Sequence, residues 1–146
     1  MKKLYFTVLV LALLGLMLLI GCTTNEPGPQ TGIVTNYATL VDELRTSGAT
    51  VVSAGTVDQP FFTVQGRVIT VNNGDVQVFE YADAVTADTE ASLVSADGSS
   101  IGTSMASWIA TPHFYKKGRV LVLYVGDDAS TINALVKVLG QQFAGR

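Results

Sequence analysis

Arg67-Val68-Ile69-Thr70-Val71-Asn72-Asn73-Gly74-Asp75-Val76-Gln77-Val78-Phe79-Glu80-Tyr81 decides the fold. Two β-rich runs, Arg67 to Val71 and Val76 to Tyr81, flank Asn72-Asn73-Gly74-Asp75. Asn-Gly suits the positive φ angles of a tight turn, so the stretch predicts a β-hairpin. Glu80 is the only charge in its run, which points to an edge or solvent-facing place.

Asp83 follows at once and can cap an alanine-rich helix of about twelve residues through Ala87, Ala91 and Val94. Further on, Val120 to Val125 is apolar at nearly every position. A run apolar on both faces belongs in the middle of a sheet whose two sides are covered. Asp127 or Asp128 then caps a last helix with Ile132, Leu135, Val136 and Leu139 on one side, and Gly140 ends it. Both strands thus lead through a small residue and an Asp cap into a helix. On the N-terminal side, Asn36 caps a helix through Leu40, Val41 and Leu44 that stops at Gly48. Thr50 to Ser53 reads as a short strand and Asp58-Gln59-Pro60 as a turn. Asp97 to Ser104 reads as a loop, Met105 to Thr111 as a strand and Pro112 to Gly118 as a bend. The expected class is α+β: a single antiparallel sheet with helices packed on one face, in the order α-β-β-β-α-β-β-α.

The N-terminus has a different character. Lys2 and Lys3 precede Leu4 to Ile20, a run without charge. As a helix this run would be roughly 26 Å long, at the short limit for crossing a bilayer. No basic stop-transfer cluster follows, so a secretory signal is the better reading than a retained span. Cys22 is the only cysteine and stands directly after the run. A lone cysteine in an exported chain has no internal disulfide partner, and this position points to a modified residue. The expected organisation is a signal over residues 1–21, a modified cysteine with a Pro- and Gly-bearing tether over 22–35, and one domain over 36–146.

Without Lys2 and Lys3, nine basic residues fall to seven against twelve acidic ones, a net charge of −5. That balance argues against nucleic acid as a partner. Positive charge concentrates in one place, Pro112-His113-Phe114-Tyr115-Lys116-Lys117-Gly118-Arg119. His113, Tyr115, Lys116, Lys117 and Arg119 are therefore the candidate ligand-binding residues, a tip suited to an anionic ligand or an envelope protein. The plainer alternative is a hairpin connection with solvated lysines. Gly98-Ser99-Ser100-Ile101-Gly102 fits the G-x-S-x-G pattern of hydrolases, but a helix precedes and a strand follows, the reverse of the required context. One histidine and scattered carboxylates give no metal-ligand spacing, and no cofactor is expected. Trp108 reads as core or as the mark of a binding face. No catalytic set is assigned; the second reading is an enzyme acting on an envelope component through residues 97–119.

Leu19-Ile20-Gly21-Cys22 resembles the bacterial lipobox. The resemblance implies a diacylglyceryl group on Cys22, cleavage before it, and attachment to a membrane by lipid, outside the cytoplasm. Thr23, in place of Asp, implies no inner-membrane retention, hence the outer membrane in a cell with two. Asp97-Gly-Ser-Ser-Ile-Gly102, Pro112 to Arg119, Val122-Leu-Tyr-Val-Gly-Asp127 and Leu139-Gly-Gln-Gln-Phe-Ala-Gly145 resemble a group of small, uncharacterised bacterial lipoproteins. That likeness implies a single anchored domain and no catalytic residues.

Overall fold

The structure is a computed structural model and describes residues 33–145. Cys22, the signal and nearly all of the tether lie outside the described residues. In chain order the elements are α1 (Tyr37–Thr46), β1 (Val51–Val57), β2 (Gly66–Val71), β3 (Gly74–Glu80), α2 (Ala84–Ser92), β4 (Ser100–Ile101), β5 (Ser104–Met105), β6 (Pro112–Lys117), β7 (Val120–Val125), α3 (Ala129–Leu139) and β8 (Ala144–Gly145).

Six strands form one antiparallel sheet in the order β1-β2-β3-β7-β6-β8, and β4 pairs with β5 in a small separate hairpin. The fold is α+β, as expected. β7 lies inside the sheet, between β3 and β6, in keeping with its unbroken apolar run. The three helices begin at the expected caps. Asn36 Oδ1 accepts from the Thr39 amide at 3.0 Å, Asp83 Oδ1 from the Thr86 amide at 2.7 Å, and Asp128 Oδ1 from the Thr131 amide at 2.8 Å. Each satisfies an amide that the first helical turn leaves without a partner.

Both faces of the sheet are buried. One carries Ile69, Val71, Val76, Val78, Val120 and Val122 under α1 and α3, which contribute Leu40, Leu44, Leu135 and Leu139. Burying each such side chain stabilises the fold by roughly 1.5–3 kcal/mol. The opposite face carries Phe79, Phe114, Leu121 and Leu123, with Ala87 and Ala91 of α2. The expectation of helices on one face thus holds for α1 and α3, while α2 lies on the other side. The alanine stripe of α2 is too weakly amphipathic to reveal its side from sequence. Phe61, Phe62 and Val64 of the β1–β2 loop and Trp108 complete that cover.

Two local expectations change. The predicted hairpin is present, with Val71 opposite Gly74, but its left-handed residue is Asn72 (φ 54°). Gly74 is small for another reason: a Cβ there would meet Tyr124 Cε2 at 2.6 Å and Thr131 Oγ1 at 2.8 Å, beneath α3. Asn72 also ties the turn down, its side chain accepting from the Thr50 amide at 3.0 Å and donating to the Ser130 carbonyl at 3.1 Å. The second change is the strand expected at Met105–Thr111. It is β6, Pro112–Lys117, and the residues between β5 and β6 form a strap without regular structure. Pro112 opens the strand, a place where proline is tolerated. Residues 112–117, expected as a bend, are therefore strand residues.

Candidate functional site

That change distributes His113, Tyr115, Lys116 and Lys117 over both faces of β6 and leaves Arg119 in the turn to β7. His113 is 6 % exposed, stacked on Tyr124 with ring centroids 5.8 Å apart. Its Nδ1 lies 2.5 Å from Gln142 Oε1 and its Nε2 3.0 Å from the Gly126 carbonyl, so neither ring nitrogen is free. Tyr115 is 0 % exposed within the α1/α3 core, where burial pushes its hydroxyl pKa up. Lys116 points to the other face and pairs with Asp88 of α2. Lys117 donates to the Val138 carbonyl at the end of α3, at 2.8 Å. Arg119 pairs with Glu80 at 2.7 Å and donates to the Ala82 carbonyl. Glu80 also pairs with Arg67 at 3.3 Å and sits on an interior strand, where it joins its neighbours. The five candidates do not form one surface, and each of the three cations already has an internal partner.

A different site lies along the strap Ala106–Thr111. Trp108 anchors it: the indole N–H donates to the Gly98 carbonyl at 2.7 Å. Its ring packs edge-on against Phe61 and against Phe114, at 5.8 Å in both cases. Gly98 must be glycine here. Its φ is +70°, and a Cβ would come within 2.9 Å of the Phe114 ring. On one side of Trp108 runs an open groove of about 560 Å³, lined among others by Phe61, Gln77, Met105, Ile109 and Val125. Ile109 is 99 % exposed and Met105 81 % exposed at its rim. Two large apolar side chains held in water beside a half-buried aromatic pair mark a contact surface better than a core. Among the described residues no charged side chain lines it.

On the other side of Trp108 lies a second depression of about 430 Å³, whose charged lining residues are Asp97 and Asp127. Asp97 Oδ1 accepts from the Ser99 amide at 3.0 Å and from the Ser95 and Ser99 hydroxyls at 2.8 Å. Those bonds lower its pKa to about 2, the Ser99 amide contributing most, and hold the carboxylate ionised in a fixed orientation. The Ser99 hydroxyl is spent on Asp97, and His113 is bonded to Gln142 and Gly126. The Gly98–Gly102 run leads into the tight hairpin β4–β5, and among the described residues no serine hydrogen-bonds to His113.

Sequence reading raised Trp108, next to Ile109, as a question and passed over Phe61. The available signal was a loop aromatic pair, Phe61-Phe62, and Trp108-Ile109 between serine and alanine neighbours. Among the described residues no group of three or more His, Cys, Asp or Glu side chains could hold a metal ion, and no helix is long and apolar enough to cross a membrane. The fold and the strap define a class, an α+β domain with an aromatic-lined surface groove. No protein-family model matches the chain, and comparison with curated proteins and with solved structures finds no match.

Proposed function

We propose that this chain is a lipid-anchored, extracytoplasmic envelope protein whose single domain binds a partner and performs no chemistry. Support for the anchor comes from Leu19-Ile20-Gly21-Cys22 at the end of a charge-free run behind Lys2 and Lys3. Two or three acyl chains on one cysteine hold a protein stably at a membrane, whereas one does so only marginally. The observation that carries the binding reading is the groove beside Trp108, with Ile109 and Met105 exposed at its rim. Catalysis through residues 97–119 needs an acid, base or nucleophile in mutual reach. His113, the one histidine of that segment, has its ring nitrogens bonded to Gln142 and Gly126, which favours binding.

Two measurements test this. A fatty-acid analogue fed to cells should label the wild type and leave Cys22→Ala unlabelled; equal labelling sinks the anchor. A photoreactive residue at Ile109 should give a discrete adduct in intact cells, lost on Phe61→Ala. The same residue at Val85, 75 % exposed on α2, should give none. Equal adducts from both positions, or none from Ile109, would overturn the groove reading.

A further inference from the structure

Three features of the strap bear on what occupies the groove. The backbone amides and carbonyls of Ser107, Trp108, Ile109 and Ala110 hydrogen-bond to no other described residue. The strap, which bends at Ile109 and Ala110, thus leaves a short run of backbone donors and acceptors open to hydrogen bonds from a ligand chain. Next, the two depressions meet at Trp108, which lines both. A chain crossing the strap would meet an apolar lining on one side and a carboxylate-lined hollow on the other. Finally, the charge is of one sign. Asp97 and Asp127 are the charged lining residues, and among the described residues no lysine or arginine lines either hollow. The Asp97 carboxylate is held by Ser95 and Ser99 through one oxygen, Oδ1.

We infer that the strap receives an extended peptide segment of a partner protein, an apolar side chain entering the Phe61–Trp108–Ile109 groove and a lysine or arginine reaching Asp97 and Asp127. This rests on the binding reading above and gives it a partner chemistry. Charge complementarity selects a basic segment. The unpaired strap backbone selects a peptide, since a small amine has no row of amides to offer. An acidic segment is disfavoured by the same two carboxylates.

Trp108 is the only tryptophan of the chain, so its emission reports the groove directly. The protein as isolated from cell membranes, in detergent micelles, is titrated with three capped hexapeptides and with hexylamine. The peptides alternate leucine with lysine, leucine with glutamate, and serine with lysine. The leucine–lysine peptide should change Trp108 emission saturably and bind about tenfold more tightly than the leucine–glutamate one, the effect of two exposed charge contacts. It should also bind more tightly than the serine–lysine peptide and than hexylamine. Asp97→Asn with Asp127→Asn should reduce the lysine-over-glutamate preference to about twofold or less, and added salt should shrink it in the wild type. Equal binding of the lysine and glutamate peptides, or a preference that survives both substitutions, overturns the basic-segment inference while leaving the groove reading in place. Hexylamine binding as tightly as the leucine–lysine peptide overturns the choice of a peptide. No response to any probe overturns the inference together with the groove reading.

Discussion

Gly118 closes the β6–β7 hairpin at the tip of the segment that sequence reading singled out, and Gly118→Ala tests what covers that tip. Its φ is +55°, so any Cβ pays the left-handed penalty of about 1–2 kcal/mol. The added Cβ would also lie 2.6 Å from Thr35 Cα, 2.7 Å from Thr35 O and 2.9 Å from Thr35 C. These are backbone atoms and cannot swing aside as a side chain would. Thr35 must move, and with it goes the bond from the Arg119 amide to the Thr35 carbonyl, now 3.0 Å long. A lost backbone bond costs about 1 kcal/mol, bringing the total to about 2–3 kcal/mol. Gly102→Ala is the control. Its φ is +57° and nothing lies within 4 Å of its Cβ position, so only the backbone penalty applies. Urea unfolding followed by Trp108 fluorescence separates the two. With a slope of about 1–3 kcal/mol/M, Gly118→Ala should lower the midpoint by about 0.7–3 M at unchanged slope, and Gly102→Ala by clearly less. If the two variants unfold at the same midpoint, Thr35 does not cover the turn and the reasoning fails.

Acid should weaken the fold in a definite window. Asp97 has its folded pKa depressed from 3.8 to about 2, Asp83 is lowered first by its cap bond from the Thr86 amide, and Asp128 first by the Ser130 hydroxyl and then by its Thr131 cap bond, so this stability is present above about pH 4 and lost as pH falls towards 2. Asp97→Asn should flatten that part of a plot of Tm against pH; an unchanged slope refutes it. Glu90 is 8 % exposed, with Oε1 accepting from the Thr63 hydroxyl at 2.7 Å and Oε2 bonded to no described group, beside a Tyr81 hydroxyl that also lacks one. Burial first, and Glu90 second, push the Tyr81 hydroxyl pKa up. Thr63→Val should cost about 1–2 kcal/mol, because it strips the carboxylate of its one bond. Glu90→Met should be neutral or stabilising, because it removes a buried charge and keeps the volume. Thermal unfolding that finds Glu90→Met the more damaging of the two contradicts this reading.

What could be read from the sequence was local. Asn36, Asp83 and Asp128 announce their helices because a cap depends on three or four neighbouring residues. Val120–Val125 announces an interior strand because burial on both faces leaves no polar position. The hairpin was legible too, but the Asn-Gly pair pointed to the wrong residue, since Gly74 answers to α3 and Tyr124 and not to the turn. Lys116, Lys117 and Arg119 looked like an exposed basic tip because their partners, Asp88, Val138 and Glu80, are far away in the chain. Phe61 and Trp108 meet only through the folded sheet, so the groove had no local signature beyond its aromatic residues.

The groove follows from the uneven cover of the two faces. α1 and α3 bring leucines onto one face and close it. On the other face α2 buries only Ala87 and Glu90, and the apolar floor of Phe79, Phe114, Leu121 and Leu123 is far wider than that. Loops must supply the rest: Phe61 and Phe62 from one side and Trp108 from the other. A loop covers a sheet along a line, where a helix covers it as a cylinder, so hollows remain on either side of the strap. One indole hydrogen bond and two edge-on ring contacts hold that line in place. The side of the domain with the weakest helix is therefore also the side that keeps the open groove.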